Sequence, residues 1–306
     1  MDLVRAMQSF VTVVDCGSFI AAAEQLDTSN AAISRQVAAL EDHFGVRLLH
    51  RTTRRLSLTE PGHALYDRAQ QILTDVGEME AVVGQHTASP SGVLRISAPL
   101  SFGIHTLAQL LPAFRARYPK LQLHIDLTDR VVDLAHDGMD VALRIASAPS
   151  QNLIARKIAP IEMIICAAPS YLAAHGTPAT PQELSHHQVL SYSYLSSGDN
   201  WVLLDSAGAE TTVRVSPDIH ATNGDLLRQL ALAGEGIIAQ PEFIVADDIA
   251  RGTLVPILQG WRLGEFNLYA VYLTRKYLSV KVRVFIDYLT GTIGKQGSTR
   301  FPAPRA

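Results

Sequence analysis

Apolar residues in the first sixty positions recur at helical spacing in three short segments. The three stripes are Leu3, Met7, Phe10 and Val14; Phe19, Ala22, Ala23 and Leu26; and Ile33, Val37, Leu40 and Phe44. Ser18 and Ser29 precede the second and third stripes, where a serine side chain caps the first turn of a helix. Three short helices with a tight polar turn between the second and third predict a helix-turn-helix.

The face of the third helix opposite its apolar stripe carries small or hydrogen-bonding side chains. A face turned only to solvent more often carries Lys and Glu, whereas short side chains let a backbone approach base edges. Arg35 is long enough to reach a guanine or a phosphate. The residues that we predict to contact DNA from this helix are Ser29, Asn30, Ala31, Ser34 and Arg35.

A basic hairpin is predicted after the third helix, which Gly45 is expected to end. Residues 46–49 alternate like a strand and residues 56–58 resemble its partner. The tip holds Arg51, Thr52, Thr53, Arg54 and Arg55, which can bind phosphates and enter a minor groove. The alternative is a solvated hairpin with ordinary surface arginines. Residues 1–60 hold six arginines, no lysine and seven acidic residues, so affinity for DNA depends on placement rather than total charge.

A long helix is predicted from Thr59-Glu60-Pro61, where an acid and a proline suit a first turn. Its apolar positions step by alternating fours and threes, and they are Leu65, Ala69, Ile72, Val76, Met79 and Val83. This 3.5-residue period indicates a coiled-coil seam that pairs two copies of the chain. The alternative is a helix packed against its own domain. The small polar residues 87–92, with one proline, predict a hinge.

The remaining two thirds of the chain alternate between strand and helix patterns. Strands are predicted at 93–98, 121–127, 141–145 and 161–168, with helices over 102–118 and near 131–136. This alternation predicts an open α/β sheet with parallel crossovers. Ligands of such sheets bind beyond the carboxyl ends of the strands.

The strand ends and comparable turns further along the chain supply candidate ligand contacts. These are Pro99, Leu100, Ser101, Phe102, Thr128, Asp129, Arg144, Trp201, Asn223 and Gln240. Arg144 follows buried-strand residues and needs a partner or a ligand, but it could pair with Asp129 or Asp133 instead. Asn223 could simply cap a following helix. Polar groups with one arginine favour a small polar or anionic metabolite.

Composition narrows the functional classes. The 306 residues are 47% hydrophobic and 18% charged, which fits two or three folded units. Cys16 and Cys166 are expected to be buried thiols, since neither a disulfide framework nor a zinc site fits two distant cysteines. Gly234-Glu235-Gly236 lacks the context of a dinucleotide site, and no catalytic motif occurs, so we expect no cofactor, no metal and no enzyme activity. No apolar run or signal sequence predicts a membrane association, and a cytoplasmic protein is expected.

The sequence resembles the LysR-type transcriptional regulators over roughly residues 1–292. The motifs that carry the resemblance are GSFIAAAEQL, TSNAAISRQVAALEDHFGVRLLHRTTRRLSLTEPG, DVALRI, AAPSYLAAHG and ALAGEGIIAQPEFIV. The resemblance implies a winged helix-turn-helix, a dimerising linker helix and a co-inducer domain similar to periplasmic binding proteins, with the effector between two subdomains. It also implies homotetramers on promoters. Asp27 departs from the family pattern, which usually has glycine or asparagine there.

The expected fold is therefore α/β, with an N-terminal α winged helix-turn-helix and a C-terminal periplasmic-binding-protein-like sensor of two α/β subdomains. The predicted divisions are 1–58 for DNA binding, 59–88 for the linker helix and hinge, 89–294 for the effector-binding domain and 295–306 for a disordered tail. Within the effector-binding domain, subdomain I comprises residues 92–163 and 267–292, and subdomain II comprises residues 164–266.

The expected function is sequence-specific transcriptional regulation modulated by a small-molecule co-inducer. Expected partners are double-stranded promoter DNA with dyad-symmetric sites, the co-inducer and a second copy of the chain through the linker helix. A homotetramer is expected, and RNA polymerase is a further candidate partner. The alternatives are a cytoplasmic solute-binding sensor, which the N-terminal ninety residues disfavour, and an α/β enzyme, for which a nucleophile and base are missing.

Overall fold

A computed structural model describes residues 2–51, 56–83, 90–148, 153–273 and 278–293. The chain divides into two compact units, residues 1–88 and 89–306. The predicted basic tip at 52–55, residues 87–89 of the predicted hinge and the predicted disordered tail at 295–306 lie outside the described residues.

Three helices begin the first unit: α1 (Leu3–Cys16), α2 (Phe19–Gln25) and α3 (Asn30–Phe44). The predicted caps are confirmed, because Ser18 Oγ accepts the backbone N–H of Ile20 and Ser29 Oγ accepts that of Ala32. Gly45 ends α3 in the left-handed conformation at φ 68°, where glycine has no steric penalty. The local sequence therefore specifies where these helices begin and end.

The apolar stripes of the helices meet in one core. Phe10, Ile33, Val37 and Leu40 are each fully buried. The prediction that Phe44 continues the stripe of α3 is wrong, because its side chain is 44% exposed and its ring packs edge-on against His43. The last turn of α3 extends past the core that buries the preceding turns.

A two-stranded hairpin follows, formed by β1 (Leu49–Arg51) and β2 (Leu56–Leu58) in antiparallel register. The first strand begins at Leu49 rather than at Val46 as predicted. The carboxylate of Glu41 accepts the backbone N–H groups of Leu48 and Leu49, so a side chain supplements the strand pairing at the start of β1.

The linker helix α4 (Glu60–Val83) begins directly after β2. Thr59 caps it, since Thr59 Oγ1 accepts the Gly62 N–H at 3.0 Å and donates to the Arg47 carbonyl at 2.6 Å. A Cβ on Gly62 would lie 2.1 Å from the Leu48 carbonyl oxygen, so only glycine permits this close approach. Cap and glycine together fix the start of α4 against the base of the hairpin.

The described strands and helices of the second unit follow in three stretches, with one π-helical and one 3-10 segment among them. The first stretch comprises β3 (Gly92–Ala98), α5 (Leu100–Phe102), a π-helical turn (Gly103–Leu107), α6 (Ala108–Arg117), β4 (Leu121–Leu127), β5 (Val141–Ala146) and β6 (Ile154–Ile161). The second comprises β7 (Met163–Ala167), α7 (Pro169–His175), a 3-10 turn (Pro181–His186), β8 (Leu190–Tyr192), β9 (Asn200–Leu204), β10 (Glu210–Arg214), β11 (Ile219–Ala221), α8 (Gly224–Leu232), β12 (Ile238–Pro241), α9 (Glu242–Arg251), β13 (Val255–Pro256) and β14 (Arg262–Leu263). Finally come β15 (Phe266–Tyr272) and α10 (Val280–Thr292).

A five-stranded sheet in the order β4–β3–β5–β15–β6 forms the first lobe, which we define as residues 90–161 and 266–293. β3 runs parallel to β4 and β5, as the predicted crossovers require, whereas β15 runs antiparallel to both β5 and β6. Phe114 of α6 and Phe285 of α10 are fully buried against this sheet and meet edge to face. The sheet is therefore mixed rather than wholly parallel.

The second lobe, defined as residues 163–263, contains the smaller sheets. β7 pairs antiparallel with β12 and β13, β8 pairs parallel with β11, and β9 pairs with β10 and β14. The predicted single strand over 161–168 is wrong: it divides at Glu162 into β6 and β7, which belong to different sheets. The apolar residues on either side of Glu162 indicate burial, but their pattern does not reveal a change of sheet.

The predicted helix near 131–136 is also absent, and this segment forms turns. Asp133 Oδ1 accepts the N–H groups of Ala135 and His136 at 3.0 and 3.1 Å. Gly138 then takes a left-handed conformation. Local side-chain bonds of this kind compete with helix formation in a short segment. Of the helices described, none alone has the length and apolar character to cross a membrane; α1 and α2 meet those criteria only jointly and are bent by 119°.

Candidate functional site

The exposed face of α3 brings together the five predicted DNA contacts. Ser29, Asn30, Ala31 and Arg35 are exposed and Ser34 is half-buried. The opposite side of the helix is anchored in the core, so this face is presented on a rigid support. Ser29 combines a place on this face with its role as the helix cap.

The turn before α3 depends on an unusual backbone conformation. Asp27 has φ 47°, in the left-handed region that glycine and asparagine adopt most easily. Aspartate is among the few other residues that tolerate it. This accounts for the departure from the family pattern at Asp27, because the turn keeps its shape at a modest local cost.

Glu41 fastens the hairpin base to α3. Its carboxylate is buried, accepts the N–H groups of Leu48 at 2.9 Å and Leu49 at 3.3 Å, and receives Arg47 Nη1 at 3.2 Å. The sequence reasoning did not identify this residue. The sequence feature that could have indicated its role is the position of this acidic residue, next to Leu40 and on the core side of α3. The side chain of Arg51 and all of Thr52, Thr53, Arg54 and Arg55 lie outside the described residues.

A cavity of about 370 Å³ lies between the two lobes of the second unit. The predicted contacts that line it are Pro99, Ser101, Phe102, Asp129, Arg144, Trp201 and Gln240. Leu100, Thr128 and Asn223 do not appear in its wall. The Leu100 N–H donates to Asp129, the Thr128 carbonyl faces Arg144, and Asn223 caps α8 by accepting the Leu226 N–H at 2.9 Å.

Aromatic and aliphatic side chains make up most of the remaining wall. Those that the sequence reasoning did not select include Val131, Tyr192, Tyr194, Phe243 and Phe266. The strand-end rule could have found Tyr192, which ends β8, but the other four follow only from how the lobes face each other. The wall is therefore much less polar than its predicted contacts indicate.

Arg144 and Asp129 are the charged side chains of the described cavity wall. Burial lowers the pKa of the Arg144 guanidinium, and the charge of Asp129 opposes this shift. Burial raises the pKa of Asp129, although hydrogen bonds from the Leu100 N–H and the Tyr192 hydroxyl and the charge of Arg144 act in the opposite direction. Arg144 also binds Ser97 Oγ at 2.9 Å and the Arg130 carbonyl at 3.1 Å, rather than Asp133.

Asp225 joins the two lobes beside the cavity. Its carboxylate accepts Ser101 Oγ at 2.8 Å and His105 Nε2–H at 2.7 Å, and both donors belong to the first lobe. Asp225 lies in the first turn of α8, where the helix dipole favours a negative charge. We call these three residues the clasp. Because Ser101 also lines the cavity, the clasp links one residue of the cavity wall to a contact between the lobes.

Cys166 is the buried thiol of the second lobe. Burial raises the pKa of the Cys166 thiol to about 12, which leaves it protonated and unreactive at neutral pH. Within the described ranges, no three or more His, Cys, Asp or Glu side chains are grouped so that they could hold a metal ion.

Each of the two units matches a known protein family model. Residues 4–63 match the bacterial regulatory helix-turn-helix protein, lysR family, and residues 87–293 match the LysR substrate binding domain. The chain is 38% identical over 286 residues to the HTH-type transcriptional regulator CrgA of Neisseria meningitidis, covering 93% of this chain and 95% of that protein. It is 36% identical over 293 residues to the HTH-type transcriptional regulator DmlR of Escherichia coli, covering 94% of each.

Solved structures give the same result. The structure of CrgA, a LysR-type transcriptional regulator from Neisseria meningitidis, superposes with a TM-score of 0.58 at 37% identity, over 95% of this chain and 98% of that one. These relatives are named as transcriptional regulators and not as enzymes. The chain belongs to the LysR family of transcriptional regulators, with an N-terminal helix-turn-helix and a C-terminal effector-binding domain.

Proposed function

We propose that this protein binds specific promoter sequences through α3 and the Arg51–Arg55 hairpin, and that a small co-inducer in the cavity modulates that binding. The observation that carries the proposal is the cavity itself, whose wall is built by both lobes beside the clasp. A ligand that contacts both lobes favours one relative placement of the lobes. Its effect on DNA binding then equals its differential affinity for the two placements.

The proposed DNA contacts are those of the exposed face of α3, together with the basic hairpin tip. Each copy offers one long base-reading side chain, Arg35, among short neighbours, so one copy is expected to bind weakly. A homodimer through α4 would present two such faces to a dyad-symmetric site. We further propose a homotetramer on the promoter, in keeping with the family resemblance, and RNA polymerase as a partner.

A ligand-independent experiment tests the coupling between cavity and DNA. Ala146 lines the cavity, so Ala146→Trp fills part of it, whereas Ala174→Trp adds the same group to an exposed position of α7. DNase I footprints on the DNA upstream of the protein's own coding sequence are compared for the wild type and both variants. We expect an altered footprint for Ala146→Trp alone.

Two outcomes would overturn the proposal. The first is a wild-type protein that protects no discrete sequence in its upstream DNA. The second is a filled cavity, with folding verified by circular dichroism, that leaves both footprint and affinity the same as in the wild type. The first outcome rejects specific DNA binding, and the second rejects control by the cavity.

A further inference from the structure

The polar groups of the cavity limit the chemistry of its ligand, and Arg144 is the first of them. Arg144 Nη1 donates to the Leu143 carbonyl at 2.8 Å and to the Thr128 carbonyl at 3.5 Å. Nη2 donates to Ser97 Oγ at 2.9 Å and the Arg130 carbonyl at 3.1 Å. Of the five N–H groups of a guanidinium, three make the shorter of these bonds, and both N–H groups of Nη2 are among them. A fourth faces the Thr128 carbonyl at the limit of hydrogen-bond distance, and the Nε–H has no partner among the described residues. Arg144 therefore holds the loop after β4 to β5 and cannot offer a bidentate fork to a carboxylate.

Asp129 can still form a hydrogen bond with a ligand. Its carboxylate accepts the Leu100 N–H on Oδ1 at 3.3 Å and the Tyr192 hydroxyl, and a carboxylate with about four acceptor sites can still accept a donor from a ligand. The clasp residue Asp225 adds a second negative charge nearby. In the described wall of the cavity, the negative charge of Asp129 balances the positive charge of Arg144, so no surplus of positive charge offsets the desolvation of an anion.

The rest of the wall is suited to an apolar body. Phe102, Tyr192, Tyr194, Trp201, Phe243 and Phe266 contribute aromatic surface. Removing apolar surface from water contributes about 25 cal/mol per Å² buried. Most of the binding free energy of a ligand is therefore expected from burial of its carbon skeleton. The few polar side chains of the wall determine how the ligand is oriented.

We propose that the co-inducer is an amphipathic molecule with an apolar, ring-containing body and an amine or hydroxyl group that donates to Asp129, and that organic anions are rejected. This inference rests on the proposed function, since it assigns the ligand class of the same cavity. It keeps the polar part of the sequence-based expectation of a polar or anionic metabolite and replaces the anionic part. The ligand's donor meets the carboxylate of Asp129, while its body packs between the lobes.

Matched probes test the ligand class. On each of three skeletons (naphthyl, indolyl and phenylpropyl), the terminal amine, alcohol and carboxylate are titrated into the full-length protein by isothermal calorimetry. We expect the amine or alcohol to bind about tenfold or more tightly than the carboxylate on the skeleton that fits, because a hydrogen bond to a charged group is worth about 1.5–3 kcal/mol.

Asp129→Asn removes the charge but keeps an acceptor for the Leu100 N–H. This variant is expected to lose about tenfold in affinity for the amine and less for the alcohol. Asp218→Asn removes one charge from an exposed position outside the cavity wall, and it should bind all probes as the wild type does.

Three results would overturn the proposed ligand class: tighter binding of the carboxylate on any skeleton, amine binding unchanged in Asp129→Asn, and no binding of any amine or alcohol. The same protein sample is assayed on its upstream DNA without probe. Failure of that DNA binding rejects the proposed function, whereas normal DNA binding with carboxylate preference rejects only the ligand class.

Discussion

Arg35 is the one long side chain among the predicted contacts of the exposed α3 face, where Asn30, Ala31 and Ser34 are its short neighbours. Replacing it with alanine should weaken binding to the specific site by about 1–3 kcal/mol if it contacts a base. Non-specific DNA should lose much less affinity. Fluorescence anisotropy at one fixed salt concentration measures both affinities.

Arg115→Ala serves as the charge-matched control, because Arg115 is exposed on α6 of the second unit. An equal loss of affinity for specific and non-specific DNA in Arg35→Ala would reassign Arg35 to a phosphate contact. An unchanged footprint and affinity would remove it from the recognition surface.

Asp248 shows how a single buried charge stabilises the second lobe. Its carboxylate is buried and binds Arg228 and Arg251, the latter at 2.9 Å. Burial opposes ionisation, but the hydrogen bonds from the two arginines outweigh it and lower the pKa of Asp248. Because the folded pKa lies below the unfolded one, this stabilisation is present at neutral pH and is lost as the pH falls through the folded pKa.

Asp248→Asn should therefore lower the free energy of unfolding by about 2–3 kcal/mol at pH 7, since it leaves Arg228 partly buried without its counter-charge. Urea unfolding from about pH 7 to pH 3 measures the difference, which should shrink on acidification. Asp247→Asn, at the neighbouring exposed position, is expected to stay within about 0.5 kcal/mol of the wild type. A difference that is constant with pH would contradict the ionic explanation.

At the scale of elements, the caps and stripes of the first unit could be predicted because they depend on local sequence. Ser18, Ser29 and Gly45 determine their helix ends through their own backbone neighbours. The exposure of the Phe44 side chain could not be predicted, because it depends on how far the surrounding core extends. The break at Glu162 could not be placed either, since both flanking strands are apolar and only sheet pairing separates them.

The contact between the base of the β1–β2 hairpin and α3 depends on Glu41. Glu41→Gln keeps one acceptor but loses the charge that binds two backbone N–H groups and Arg47. Hydrogen bonds to a charged group are each worth about 1.5–3 kcal/mol, so we expect a loss of about 1–3 kcal/mol in stability and a severalfold loss in DNA affinity.

The base preference of Glu41→Gln should stay that of the wild type, because the exposed face of α3 is untouched. Competition with single-base variants of the site measures that preference. Glu24→Gln, on the exposed side of α2, is the matched control. Wild-type stability and affinity in Glu41→Gln would show that the hairpin base needs no such attachment.

At the scale of the whole molecule, the predicted apolar seam of α4 is partly buried within the first unit and partly exposed. Ala69 is fully buried against the first unit's own core, and Leu65 packs against that core, whereas Ile72 is 39% exposed. The alternative of a helix packed on its own domain is thus correct for the first turns. The exposed part of the seam is available to a second copy of the chain.

Ile72→Glu should convert the dimer that we propose into monomers, because a charge at a core position of a coiled coil is not compensated. Analytical ultracentrifugation measures the mass, and DNA affinity should fall with it. Ala64→Glu places the same charge at an exposed position off the seam. A wild-type mass for Ile72→Glu would show that the copies associate elsewhere.

The cavity could be predicted only in part from sequence. The rule for strand ends located Pro99, Ser101 and Asp129, because a parallel β3–β4 pair brings its carboxyl ends together. It could not anticipate that backbone carbonyl oxygens accept hydrogen bonds from Arg144, the observation from which we propose a donor rather than an anion as ligand. That outcome depends on the path of the loop after β4, which no local pattern encodes.

The most direct test of the central claim is the DNA affinity of one protein sample with and without a cavity ligand. Anisotropy titrations with the upstream DNA are run at fixed salt, with and without the amine probe that calorimetry shows to bind most tightly. A coupling of about 1–3 kcal/mol between the two sites predicts a change of about fivefold or more in the dissociation constant for DNA. Ala146→Trp should bind DNA without this response, and Asp129→Asn should need about tenfold more probe to reach it. A wild-type DNA affinity that stays the same while the probe is demonstrably bound would contradict the claim that the cavity controls DNA binding.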